Sequence, residues 1–134
     1  MSTSAETALY LDASALVKLV VPEPESVALT ALTEGRSPLF SCALVRVEVA
    51  RAVTPHGSAA LRTARQLLME LDLTQLDDEL LELAADLDGP LRSLDAIHLA
   101  AALELGDELE AIVTYDGQMA RAATTLGLPV ISPA

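Results

Sequence analysis

The apolar and polar positions change rhythm several times along the chain, and each change marks an element. ALYL (8–11) is a short unbroken apolar run that halts at Asp12, as a buried strand does. ASALVKLVV follows with helical spacing, which predicts a helix running on to its stop at Pro22. A second helix is predicted from about Glu25 to Thr33, ended by Gly35. PLFS (38–41) is the next strand. ALVRVEVARAV (43–53) suits strand or helix by composition, and its length and the spacing of its arginines favour helix.

After a turn at PHG (55–57), SAALRTARQLLMEL (58–71) has Leu61, Leu68 and Leu71 at helical intervals. LTQL (73–76) is a weak strand. DELLELAADLD (78–88) is an acidic amphipathic helix ended by Gly89-Pro90. SLDAIHLAAALELG (93–106) is an apolar helix with Ser93 as its expected cap and Gly106 as its stop. AIVT (111–114) is a strand, DGQMARAATTLG (116–127) a helix capped by Asp116, and PVIS (129–132) a last strand. Strands that alternate with helices predict an α/β fold with a mainly parallel sheet of about four to five short strands, covered on both faces. Ligands of such sheets collect at the carboxyl ends of the strands.

Composition sharpens this picture in two ways. The 134 residues suit a single domain spanning 1–134, and a hydrophobic share of 51% allows a real core. That core must be aliphatic, since the chain has no Trp, one Phe and two Tyr. The polar start of the chain lacks an export signal, and no run is long enough to span a membrane. A cytoplasmic, non-membrane protein is therefore expected. Cys42, the only cysteine, reads as a small buried hydrophobe.

The net charge of −12 argues on its own against nucleic acid. Its distribution weakens that argument. Glu70, Asp72, Asp77, Asp78, Glu79, Glu82, Asp86 and Asp88 follow one another with no Lys or Arg between them, as a solvated acidic surface. The basic residues lie elsewhere, and several are close in sequence to the acids considered next.

Asp12 follows the first strand directly, and Asp116 lies two residues past the strand at 111–114. In a parallel sheet both belong to one rim. Asp95 opens an apolar helix, and Glu48 sits near the middle of another. Singly, each has an ordinary explanation: Asp12 and Asp116 as helix caps, Asp95 as a first-turn acid, Glu48 as a partner of Arg51 one turn on. Together they do not. Like charges ~4 Å apart repel by about 4 kcal/mol at an effective dielectric near 20. Converging carboxylates therefore hold either protons or a cation. Oxygen donors suit a hard divalent ion, Mg²⁺ or as a substitute Mn²⁺, whereas zinc would want more nitrogen and sulfur than His56, His98 and Cys42 offer.

YLDASALVKL, LVRVEVARA, SLDAIHLAAA and VTYDGQMARAA, in this order, resemble the four acidic motifs of PIN-domain nucleases, and in particular VapC-type toxins of bacterial toxin–antitoxin pairs. The resemblance runs from about residue 8 to 131. It implies a PIN-like three-layer α/β/α fold and a Mg²⁺-dependent endoribonuclease. Asp12, Glu48, Asp95 and Asp116 would be its catalytic and metal-holding acids, and Ser14 and Thr114 the hydroxyls beside them. It implies 5′-phosphate and 3′-hydroxyl products. It also implies an RNA substrate, a cognate VapB-type antitoxin and a homodimer. Arg46, Arg51, Arg92 and Arg121 lie close in sequence to the acids and are candidates for RNA-phosphate contacts. His98, one turn after Asp95, is expected to pack or hydrogen-bond within the structure.

Two rival readings differ in class. A catalytically inactive PIN-fold binding module would lack some of the acids, and all four are present. A phospho-acceptor receiver domain needs a lysine late in the chain, and Lys18 is the sole lysine.

Overall fold

The computed structural model describes residues 8–134. The polar start read above as carrying no export signal lies, through residue 7, outside them. Five parallel strands form one sheet: β1 (Ala8–Leu11), β2 (Phe40–Cys42), β3 (Asp72–Thr74), β4 (Leu109–Val113) and β5 (Val130–Ile131). Their order is β3-β2-β1-β4-β5, with β1 at the centre. Tyr10 pairs with Phe40 on one side of β1, and Leu11 with Val113 on the other.

Alternation along the strands divides the core in two. Leu9 and Leu11 of β1, with Ala111 and Val113 of β4, face one layer of helices. That layer contains α1 (Ala13–Lys18), α2 (Ser26–Thr33), α3 (Val45–Val53) and α4 (Ser58–Glu70). Tyr10 and Ile112 face the other, made of α5 (Asp78–Asp86), α6 (Ser93–Leu103) and α7 (Gly117–Thr125). The result is the three-layer α/β/α arrangement expected from the sequence. Buried aliphatic side chains fill both layers; Tyr10 is the one aromatic residue among the largest fully buried side chains of the described residues.

α6 is the most enclosed helix. Ala96 and every residue from His98 to Ala102 are buried, because alanines let the helix approach the sheet closely. Asp95 and His98, one turn apart, therefore enter the molecule on a buried stripe.

Several expected boundaries move. α1 stops at Lys18 rather than at Pro22. Val20 and Val21 donate to the Val17 carbonyl in a closing turn, and Pro22 keeps the residue before it out of helix. β2 begins at Phe40, two residues later than expected, since Pro38 has no N–H for a ladder. β3 begins and ends earlier, at Asp72 and Thr74, in register with Phe40 and Cys42. Ser93 is not the cap of α6. The extended residue before the helix is Arg92, no side-chain cap bond forms, and Ser93 is the first helical residue. Asp12, Asp77 and Asp116 do cap α1, α5 and α7 with their carboxylates.

Candidate active site

Asp12 leaves the carboxyl end of the central strand and is 4% exposed. Both of its oxygens are engaged. Oδ1 accepts from the Ser14 hydroxyl at 2.6 Å and from the Ala15 N–H at 3.1 Å; Oδ2 accepts from the Thr114 hydroxyl at 2.5 Å. Thr114 reaches it because β4 lies next to β1 in parallel register. Burial raises the pKa of Asp12 more than these hydrogen bonds lower it. The carboxylate is thus held firmly in position while its charge is under-compensated.

Thr114 also ties Asp12 to Asp116, whose N–H donates to Thr114 Oγ1 at 3.1 Å. Asp116 Oδ1 caps α7 through the N–H groups of Gln118 and Met119. Its Oδ2 accepts from Arg92 Nη2 at 2.8 Å. Burial works against its ionisation, yet the Arg92 guanidinium and the capping N–H groups bring its pKa below the usual value. The same guanidinium donates from Nε to Asp95 Oδ2 at 2.5 Å. One cation therefore serves two acids that belong to different helices.

Glu48, in the first turn of α3, turns toward the sheet and not along its helix to Arg51. Its Oε1 lies 2.8 Å from His98 Nε2. His98 is 3% exposed and is held from its other side as well, with Nδ1 2.8 Å from the Tyr10 hydroxyl and 3.6 Å from Cys42 Sγ. Burial alone would push the imidazole pKa down. Its hydrogen bonds with Cys42 and Glu48 reverse that and raise it to about 10, so the ring carries its proton at neutral pH. The Tyr10 and His98 rings meet edge to face, with centroids 5.9 Å apart.

Glu48, Asp95 and Asp116 line one cavity together with Arg92. Asp12 joins them through Thr114 and does not line that cavity. Among the described residues, no group of three or more His, Cys, Asp or Glu is gathered around a single point where an ion would sit. The guanidinium of Arg92 stands between Asp95 and Asp116 instead. Of the arginines considered with the acids, Arg121 lines a neighbouring cavity, Arg46 lies in a groove with Arg65 and Met69, and Arg51 is exposed in the last turn of α3. Ser14 and Thr114 sit beside Asp12. Tyr10 and Cys42 were not foreseen as part of this network. The available signal was their neighbours: Tyr10 precedes Asp12 by two positions, and His98 shares a helix face with Asp95.

A family model described as PIN domain matches residues 9–124. The chain is 50% identical over 127 residues to Ribonuclease VapC46 of Mycobacterium tuberculosis strain ATCC 25618 / H37Rv, covering 94% of this chain and 98% of that protein. It is 41% identical over 130 residues to Ribonuclease VapC35 of strain CDC 1551 / Oshkosh, covering 93% and 96%. Among solved structures, the crystal structure of Mycobacterium tuberculosis VapC20, a Sarcin-Ricin loop cleaving toxin, has the same fold with a TM-score of 0.74 at 16% identity. That match covers 94% of this chain and all of that one.

Proposed function

Because the chain belongs to the PIN-domain family, with VapC ribonucleases as relatives along nearly its whole length, we propose that it is a Mg²⁺-dependent endoribonuclease, the toxin of a VapBC-type pair. The observation that carries this reading is the meeting of acids from four separate stretches of chain at one end of a parallel sheet. Glu48, Asp95 and Asp116 share a cavity, and Asp12 is hydrogen-bonded into the same network.

The donor set fits a divalent ion. It consists of hard carboxylate oxygens, and the one imidazole and one thiol nearby are already engaged with each other and with Tyr10. Asp12 is buried with its charge only partly offset, and Asp95 and Asp116 have one positive charge between them. Asp12, Glu48, Asp95 and Asp116 would hold the ion, with Arg92 giving up its place to it. An ion held there would supply neutralisation of charge on the scissile phosphate and a water acidic enough to attack it near neutral pH.

The chain's own residues do the rest. Ser14 and Thr114 fix the orientation of Asp12. His98, anchored by Tyr10, fixes Glu48. Arg92, once released from Asp95 and Asp116, is placed to meet substrate phosphate at the same cavity. Arg46 and Arg51 supply further positive charge along α3. Aromatic stacking contributes little, because Tyr10 is buried and Tyr115 donates its hydroxyl to the Pro133 carbonyl. A VapB-type antitoxin and a second copy of the chain complete the proposed partners. No helix among the described residues is long and apolar enough to cross a membrane.

The test compares cleavage of a mixed RNA pool by wild type, Asp12→Asn and Asp95→Asn, with Mg²⁺ and with chelator. Cleavage is expected in wild type with Mg²⁺ alone. Equal cleavage by all three proteins, or cleavage that survives chelation, overturns the proposal.

A further inference from the structure

A second cavity, of about 280 Å³, opens beside the acids and shares Arg92 and Asp95 with their rim. Whatever binds there lies within one side chain of the reacting centre. The volume falls just below the ~300–1,000 Å³ of small-molecule sites, so it takes one unit of a polymer rather than several. Its walls are partly apolar, with Leu91 and Leu126 among them. Besides Gln118 and Thr125, two further charged groups of opposite sign line it. Asp88 offers a carboxylate and Arg121 a guanidinium, and neither has a side-chain hydrogen bond or ion pair among the described residues.

The exposed Arg121 side chain lies back along α7 toward Gly117. Gly117, one turn earlier on α7, has an ordinary helical backbone, so its conformation does not demand glycine. A Cβ there would stand 3.3 Å from Arg121 Nη1. The missing side chain leaves room for the guanidinium.

We infer that this cavity is a base-recognition subsite that takes a guanine next to the scissile phosphate; the inference rests on the ribonuclease reading above. The apolar walls suit the face of a base. A carboxylate accepts two hydrogen bonds from the N1–H and N2–H₂ of guanine, a pair of donors that no other RNA base presents side by side. A guanidinium donates to guanine O6 and N7. Splayed single-stranded RNA exposes both edges at once. Arg121 thereby reads a base instead of the phosphate suggested by its place in the sequence.

The experiment sequences the cut ends of a randomised RNA pool for wild type, Asp88→Asn and Arg121→Gln. Mn²⁺ binding to each free protein is measured by electron paramagnetic resonance. Wild type is expected to favour guanine by about tenfold at one position flanking the cut, the discrimination of a single bidentate contact. Each variant should reduce that preference severalfold with Mn²⁺ affinity unchanged. No guanine preference in wild type, or the same preference in both variants, overturns the subsite. In parallel, 5′-GMP and 5′-AMP are titrated into wild type and followed by amide NMR at Gln118 and Arg121. Shifts with 5′-GMP alone support the subsite, and equal shifts or none overturn it. If no RNA is cut at all, the ribonuclease reading fails, and the nucleotide titration still decides what the cavity binds.

Discussion

Asp12 and His98 carry opposite electrostatic burdens, and each leads to a measurement. Burial raises the pKa of Asp12, so its ionisation at neutral pH costs stability, a cost present above the ordinary carboxylate range and relieved below it. Asp12→Asn removes the charge, and its amide oxygen can still accept from the Ser14 hydroxyl and the Ala15 N–H while its NH₂ donates to the Thr114 oxygen. Thermal melting at pH 7 should then be unchanged or slightly raised while RNA cleavage is lost. A large fall in melting temperature would mean that the acid is structural. For His98 the sign is reversed. Its folded pKa of about 10 lies above the ordinary 6.5, so its contribution to stability is complete below about pH 6.5 and is lost as pH rises through 10. Wild-type melting temperature should fall between pH 7 and 10, and the fall should be shallower in His98→Gln. The acids themselves were legible in the sequence, because charged residues on apolar runs stand out. Their partners were not. Glu48 offered Arg51 at helical spacing, and only the folded sheet brings His98 from the far layer to replace it.

At the scale of elements, strong periodicity was readable and edges were not. The helices at 58–71 and 78–88 appear nearly as expected, since their apolar stripes fix a face. β3 was less legible, because its three residues, DLT, carry almost no pattern and owe their place to pairing with β2. Ser93 has the right chemistry for a cap, yet Arg92 occupies that position with its guanidinium drawn to Asp95 and Asp116. The caps that do form predict a size of effect. Asp77 accepts from the Leu80 N–H at 2.9 Å, so Asp77→Ala should destabilise the protein by about 1 kcal/mol, read by urea unfolding, with cleavage intact. A loss below the resolution of that measurement would mean that the cap is idle.

At the scale of the whole molecule, a chain of net charge −12 is proposed to bind a polyanion. Favourable contacts must therefore be few and local. In the metal-free protein Arg92 is held by Asp95 and Asp116, so with Arg46 and Arg51 as the phosphate contacts the logarithm of RNA affinity should fall with the logarithm of salt with a slope of about −1.4. Fluorescence anisotropy of a labelled RNA on the metal-free protein reads it directly, and a slope near zero would remove the arginines from the proposal. Arg92 also links the charge of the acids to the cation they are proposed to hold. Replacing it with alanine should tighten Mn²⁺ binding to the free protein, because the ion no longer displaces a guanidinium, while cleavage falls. Unchanged Mn²⁺ affinity would mean that Arg92 and the ion occupy separate places.

The central position of β1 has a consequence for synthesis. Asp12 leaves the ribosome 102 residues ahead of Thr114, which β4 brings to it together with Asp116. A nascent or prematurely ended polypeptide holds its first acid without the others. A protein that cuts RNA thus has its acids together only once β4 has been made.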